Sequence, residues 1–116
     1  MNDQPLEIRN VVDENGNPAG GSVYGTGLTI SWQDGPLGRG EDRTEPNGAF
    51  VETVLRAVRS RLEFYERSKF ACDENANALI HVDRALRELE QRTRRREAEG
   101  NEGTHMTDVP EAMVEY

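Results

Sequence analysis

Two stretches decide the fold: Val51-Glu52-Thr53-Val54-Leu55-Arg56-Ala57-Val58-Arg59-Ser60-Arg61-Leu62-Glu63-Phe64-Tyr65 and Leu79-Ile80-His81-Val82-Asp83-Arg84-Ala85-Leu86-Arg87-Glu88-Leu89. In the first, Val51, Val54, Leu55, Val58, Leu62 and Tyr65 recur every three or four residues, the spacing of one helical face. Leu79, Val82, Leu86 and Leu89 do the same in the second. Asn47 is positioned to cap a first helix over about 48–68. Asp73 is placed to cap a second over about 73–99, which Gly100 ends. The link Lys69-Phe70-Ala71-Cys72 is so short that the two helices must fold back on each other as an antiparallel hairpin.

Residues 1–47, upstream of the hairpin, hold most of the turn-formers. Leu6-Glu7-Ile8-Arg9-Asn10-Val11 alternates apolar and polar residues with period two, the pattern of a half-buried strand. A loop follows over 13–21, with Asn15-Gly16 as its tight turn. Ser22 to Trp32 reads as one or two strands broken by glycines, with Leu28, Ile30 and Trp32 on one face. The fold class is therefore α+β: a small N-terminal antiparallel β-sheet (1–47), then a long two-helix hairpin with a closing loop (48–105). An acidic tail occupies 106–116. A few strands alone are marginal in water, so the sheet must lean on something.

Composition narrows the function. The 116 residues are 34% hydrophobic and 31% charged, too lean for a self-sufficient core. The lone Cys72 precludes an internal disulfide. His81 and His105 lack partners at metal-ligand spacing, so no metal and no cofactor is expected. Burial against further copies of the chain is the remaining route to stability, and a homo-oligomer is expected. No stretch approaches the roughly 20 apolar residues of a membrane span, and residues 1–5 lack the features of a secretion signal; a cytoplasmic protein is expected, without a membrane partner.

A net charge of −8 argues against nucleic-acid polymers as partners. Yet 13 of the 14 basic residues are arginine, and Arg84 to Arg96 holds six of them against Glu88 and Glu90, a local +4 that leaves −12 elsewhere. Arginine's planar fork grips phosphate at two points. Arg92 and Arg96 share a helix face, and Gly100-Asn101-Glu102-Gly103-Thr104-His105 follows with backbone N–H groups to offer an anion. Phe64, Tyr65 and Phe70 flank Asn75, pairing ring faces with an amide as a nucleobase requires. Each feature has a plainer reading: Tyr65 as core, Asn75 as a cap, the arginines as a solvated last turn, His105 as surface. No nucleophile–base spacing, H-E-x-x-H or P-loop occurs, and the expected class is a binding protein, not an enzyme.

The ordered run Arg61-Leu62-Glu63-Phe64-Tyr65, Phe70-Ala71-Cys72-Asp73-Glu74-Asn75-Ala76, Arg92-Thr93-Arg94-Arg95-Arg96 and Gly100-Asn101-Glu102-Gly103-Thr104-His105 resembles the phage helical-hairpin family. That family is shared by anti-Thoeris and anti-CBASS proteins that sequester cyclic-nucleotide immune signals. The likeness covers roughly residues 48–105, and the strands before it resemble the anti-Thoeris branch. The resemblance implies a sponge that binds glycosidically cyclised ADP-ribose between subunits and leaves it intact, in assemblies from dimer to hexamer. Cyclic di- or trinucleotides, or a protein partner, are the alternative ligands. Carried over, Tyr65 would stack on the base with Asn75 as its polar partner, and Arg92 and Arg96 would hold the diphosphate. Gly103, Thr104 and His105 would close the pocket, with Arg39 contributed from the N-terminal part. Asn101 departs from the family, which often has an apolar residue there.

Overall fold

The computed structural model describes residues 4–100, 103 and 104. Three strands come first, β1 (Glu7–Val12), β2 (Pro18–Gly25) and β3 (Leu28–Ser31), followed by a 3-10 turn at Gly40–Asp42. Two helices follow, α1 (Val51–Glu66) and α2 (Asp73–Glu99). The chain forms two compact units: residues to Ala49 together with the described residues from Arg96 on, and Phe50–Arg95. Asn101, His105 and the acidic tail lie outside the described residues.

In the first unit the sheet has the order β1-β2-β3, both pairs antiparallel. Asp13 builds the first turn by accepting from the backbone N–H groups of Asn15 and Asn17 at 2.8 and 3.0 Å. The turn is shorter than the sequence suggests, because β2 already begins at Pro18. Pro18 to Gly21 read as loop but form strand opposite the register shift between Asn10 and Val12. Gly21 explains how. Its φ is +136°, and a Cβ there would strike the Arg9 carbonyl oxygen across the sheet. Glycine in this strand marks close backbone approach rather than chain reversal.

The outer edge of β3 is covered by the chain near residue 49. Ala49 N–H donates to the Ser31 carbonyl at 2.7 Å, Gln33 N–H to the Ala49 carbonyl at 2.9 Å, and Trp32 pairs with Ala49. Here the expected helix cap is corrected. Asn47 does not cap α1: its Oδ1 accepts from Asp34 N–H at 2.8 Å, and its Nδ2 donates to the Asp34 carbonyl at 2.9 Å. Gln33 Oε1 accepts in turn from the N–H groups of Asn47 and Gly48. With the Asn47 amide tied to this cross-link, α1 starts only at Val51, from an extended Phe50 without a side-chain cap.

In the second unit α1 and α2 run antiparallel. Glu66 accepts from Cys72 N–H at 3.2 Å at the closed end, and farther along Arg59 Nε meets Asp83 Oδ1 at 2.6 Å. Ser68 braces the link, donating to the Tyr65 carbonyl at 2.6 Å and accepting from Phe70 N–H at 3.1 Å. The cap of α2 is Cys72 rather than Asp73: its carbonyl accepts from Ala76 N–H at 3.1 Å and its Sγ from Asn75 N–H at 3.5 Å. Asp73 and Glu74 fall instead in the first turn, where negative charge suits the helix dipole. Gly100, in a left-handed conformation, ends α2 as read.

The core is thin. Among the described residues the buried apolar side chains are Val23 and Leu86, joined by one charged residue, Arg96. Ile8, Val12, Val51, Phe64 and Phe70 are each more than half exposed.

Candidate ligand-binding site

The first unit gathers four of the residues singled out in the sequence. Beyond the end of α2, Gly103 returns to the loop before the 3-10 turn, where its carbonyl accepts from Gly38 N–H at 2.9 Å. Gly103 has φ +82° and packs so closely on the Gly38 carbonyl that a Cβ would collide with it. The stem of Arg39 lies on the same side. One residue on, the Thr104 carbonyl accepts from Arg96 Nη2 at 3.3 Å. Arg96 is only 6% exposed. A guanidinium that is buried must be held by acceptors, and its planar fork is then fixed in direction. Arg39, Arg96, Gly103 and Thr104 thus form one cationic, glycine-lined cluster. His105 lies outside the described residues.

The second unit carries Tyr65, Asn75 and Arg92. Tyr65 is half-buried on α1 and its hydroxyl accepts from Arg61 Nε at 3.2 Å. The Arg61 guanidinium lies 4.9 Å from the Tyr65 ring centroid and 5.0 Å from that of Phe64, within cation–π range of both. Sequence reading passed over Arg61, although its i, i+3 and i, i+4 spacing to two aromatics was the available signal. Asn75 directs Nδ2 to the Phe70 carbonyl at 3.3 Å and so pins the interhelical link. The most open ring faces in this region belong to Phe64 and Phe70, the latter with Lys69 Nζ 5.3 Å from its centroid.

Helix geometry separates these groups. Asn75 and Arg92 stand on the one continuous helix α2, and 17 residues at 1.5 Å rise place them about 26 Å apart. No single small ligand reaches from one to the other within one chain. Between them α1 and α2 enclose a groove of about 410 Å³, lined by Arg56, Arg59, Asp83, Leu86, Arg87 and Glu90. Arg59 is engaged by Glu63 at 3.4 Å as well as by Asp83. Arg56 and Arg87 are exposed and carry no ion pair among the described residues.

Among the described residues no group of three or more His, Cys, Asp or Glu side chains is placed to hold a metal ion, and no helix is long and apolar enough to cross a membrane. No protein-family model matches the chain. A curated relative does: "Thoeris anti-defense 1" of Bacillus phage SBSphiJ7, 39% identical over 79 residues. The match takes in 66% of this chain, which spans about half the length of that relative (51%). The relative's name denotes anti-defence and no catalytic activity.

Proposed function

Because the chain belongs to the anti-Thoeris family of phage proteins, we propose that it is a stoichiometric sponge for cyclic ADP-ribose immune signals. It binds the signal in the host cytoplasm, leaves it intact and starves the effector of the Thoeris defence. The observation that carries this reading is the buried Arg96, held at the end of an arginine-rich helix against the Gly103-Thr104 segment and beside Arg39. A fixed guanidinium next to glycine-rich backbone is suited to a diphosphate. The overall charge of −8 disfavours bulk nucleic acid, while the cations are kept local.

The ligand is shared between copies of the chain in this reading. The separation of about 26 Å along α2 keeps Asn75 and Arg92 from one small molecule within a chain. An antiparallel neighbour brings the base-facing Tyr65–Asn75 end of one copy to the Arg92–Arg96 end of another. The exposure of Val51, Phe64 and Phe70 and the thin core supply the driving force for such self-association.

Calorimetric titration with cyclic ADP-ribose isomers, followed by heating and analysis of what is released, tests the proposal. Tight binding with the ligand recovered unchanged supports the sponge. A cleaved product, or no binding to any isomer, ends it. A second reading is favoured by one observation: the groove that Arg56 and Arg87 flank does not have Arg96 in its lining, and its volume of about 410 Å³ offers room for another phosphorylated ligand. Cyclic di- or trinucleotides are its natural occupants, and non-competitive binding beside cyclic ADP-ribose would reveal them.

A further inference from the structure

The two edges of the sheet differ. The outer edge of β3 is occupied by the chain at Ala49. On the outer edge of β1 nothing pairs among the described residues, and all six residues from Glu7 to Val12 are exposed. Such an edge offers alternate backbone N–H and C=O groups to another strand.

Two features say which strand fits. Ile8 pairs with Val23 and Val23 with Ile30, so an apolar row crosses one face of the sheet. Val23, in its middle, is 8% exposed, whereas Ile8, at its open end, is 62% exposed. The row stops at β1 with its last member uncovered. On the opposite face Glu7 and Arg9 stand two residues apart, and neither has an ion-pair partner among the described residues.

We infer that β1 is the strand through which this protein pairs with a second copy of itself, antiparallel and with the twofold axis at Ile8. This rests on the self-associating reading above and adds a second surface, on the sheet, to the hairpin contacts named there. In that register Ile8 faces the partner's Ile8, and the apolar row runs on into the partner's Val23. Glu7 faces the partner's Arg9 and Arg9 faces the partner's Glu7, giving two cross-strand ion pairs on one face. Neighbouring registers fare worse. An axis at Glu7 or at Arg9 sets like charges directly opposite one another. An axis at Asn10 brings Ile8 to the partner's Val12 but runs through the register shift between Asn10 and Val12, where ladder geometry is broken. The regular part of the strand, Glu7 to Asn10, is self-complementary about Ile8 and about no other residue.

Charge reversal tests this. Glu7→Arg and Arg9→Glu are each expected to weaken self-association about tenfold by light scattering, since each turns two attractive pairs into repulsive ones. The double variant E7R/R9E is expected to return to within about threefold of the parent. Cross-linking supplies a second measurement independent of charge. In a Cys72→Ser background, Ile8→Cys should oxidise to a disulfide-linked dimer. Asn10→Cys should not, because its own counterpart lies about 13 Å away along the strand. Circular dichroism verifies that each variant is folded. An oligomer indifferent to both single reversals, or an Ile8→Cys protein that stays uncrosslinked, overturns the β1 interface while leaving self-association standing. A parent protein that is monomeric overturns both.

Discussion

Arg96 reaches out of α2 to donate through Nη2 to the carbonyl oxygen of Thr104 at 3.3 Å, and in doing so is almost wholly withdrawn from solvent. Arg92, one turn earlier on the same helix, is exposed. The two arginines that sequence spacing makes equivalent are therefore unequal. Arg92→Ala is expected to weaken cyclic ADP-ribose binding by about 1.5–3 kcal/mol, the worth of a charged hydrogen bond, with little change in melting temperature. Arg96→Ala should lose a similar amount of affinity and also lower the melting temperature, because it empties a buried position and removes the donor to the Thr104 carbonyl. Calorimetry beside thermal denaturation separates the two. Should size-exclusion show both variants falling apart into monomers, these arginines are interface struts and not phosphate ligands.

Tyr65 presents a ring whose hydroxyl and one neighbouring cation are already engaged by Arg61. Removing the hydroxyl and removing the ring ask different questions. Tyr65→Phe costs about 0.5–1.5 kcal/mol of stability through the lost Arg61 bond and leaves ligand affinity nearly intact. Tyr65→Ala also removes a stacking surface and should weaken binding by about 1–3 kcal/mol. Titration of both variants decides the matter. Parent-like affinity in Tyr65→Ala would mean that Tyr65 serves the hairpin, with Phe64 or Phe70 as the base platform.

Across the hairpin, the Arg59–Asp83 pair is short at 2.6 Å but its side chains are 46% and 37% exposed. Solvent screens such a pair, so a double-mutant cycle on Arg59→Ala and Asp83→Ala should give a coupling below about 1 kcal/mol. Leu86, at 7% exposure, makes the larger contribution. Leu86→Ala should cost about 2–4 kcal/mol in chemical denaturation. A coupling greater than the loss at Leu86 would show that charge, and not apolar burial, holds the helices in register.

The hairpin was legible because its signals are local: apolar residues every three or four positions between Val51 and Leu89, and a glycine at 100. What escaped the sequence was non-local. Asn47 reads as a cap because nothing nearby announces that Asp34, thirteen residues earlier, takes up its amide. Cys72 displaces Asp73 as cap because the chain turns into the helix one residue sooner, and a thiol is a weak enough acceptor to be overlooked. Pro18 to Gly21 are turn-formers by type, yet the bulge opposite them makes them strand. At the site, the arginine clustering was visible, but the burial of Arg96 depends on Gly103 and Thr104 folding back toward Gly38, a contact between positions 65 residues apart. The groove around Leu86 was hidden for the same reason, since its arginines come from two helices.

Gly21 is where the sheet is most exposed to a single substitution. Its φ of +136° is one that L side chains rarely adopt, and its missing Cβ leaves room for the Arg9 carbonyl of β1. Gly27, in the β2–β3 turn, also has a positive φ (+73°), but nothing lies within 4 Å of where its Cβ would stand. The contrast separates backbone strain from collision. Gly27→Ala should cost about 1–2 kcal/mol, the left-handed penalty alone. Gly21→Ala adds a backbone overlap that only a parting of β1 from β2 can relieve, and should exceed about 3 kcal/mol. Because the helical unit has its own contacts around Leu86, the loss should fall on the sheet first. Trp32 emission is expected to shift to the red in Gly21→Ala while the helical circular dichroism at 222 nm persists. Simultaneous loss of both signals would instead show that sheet and hairpin melt as one cooperative body, and that Gly21 stabilises the whole chain.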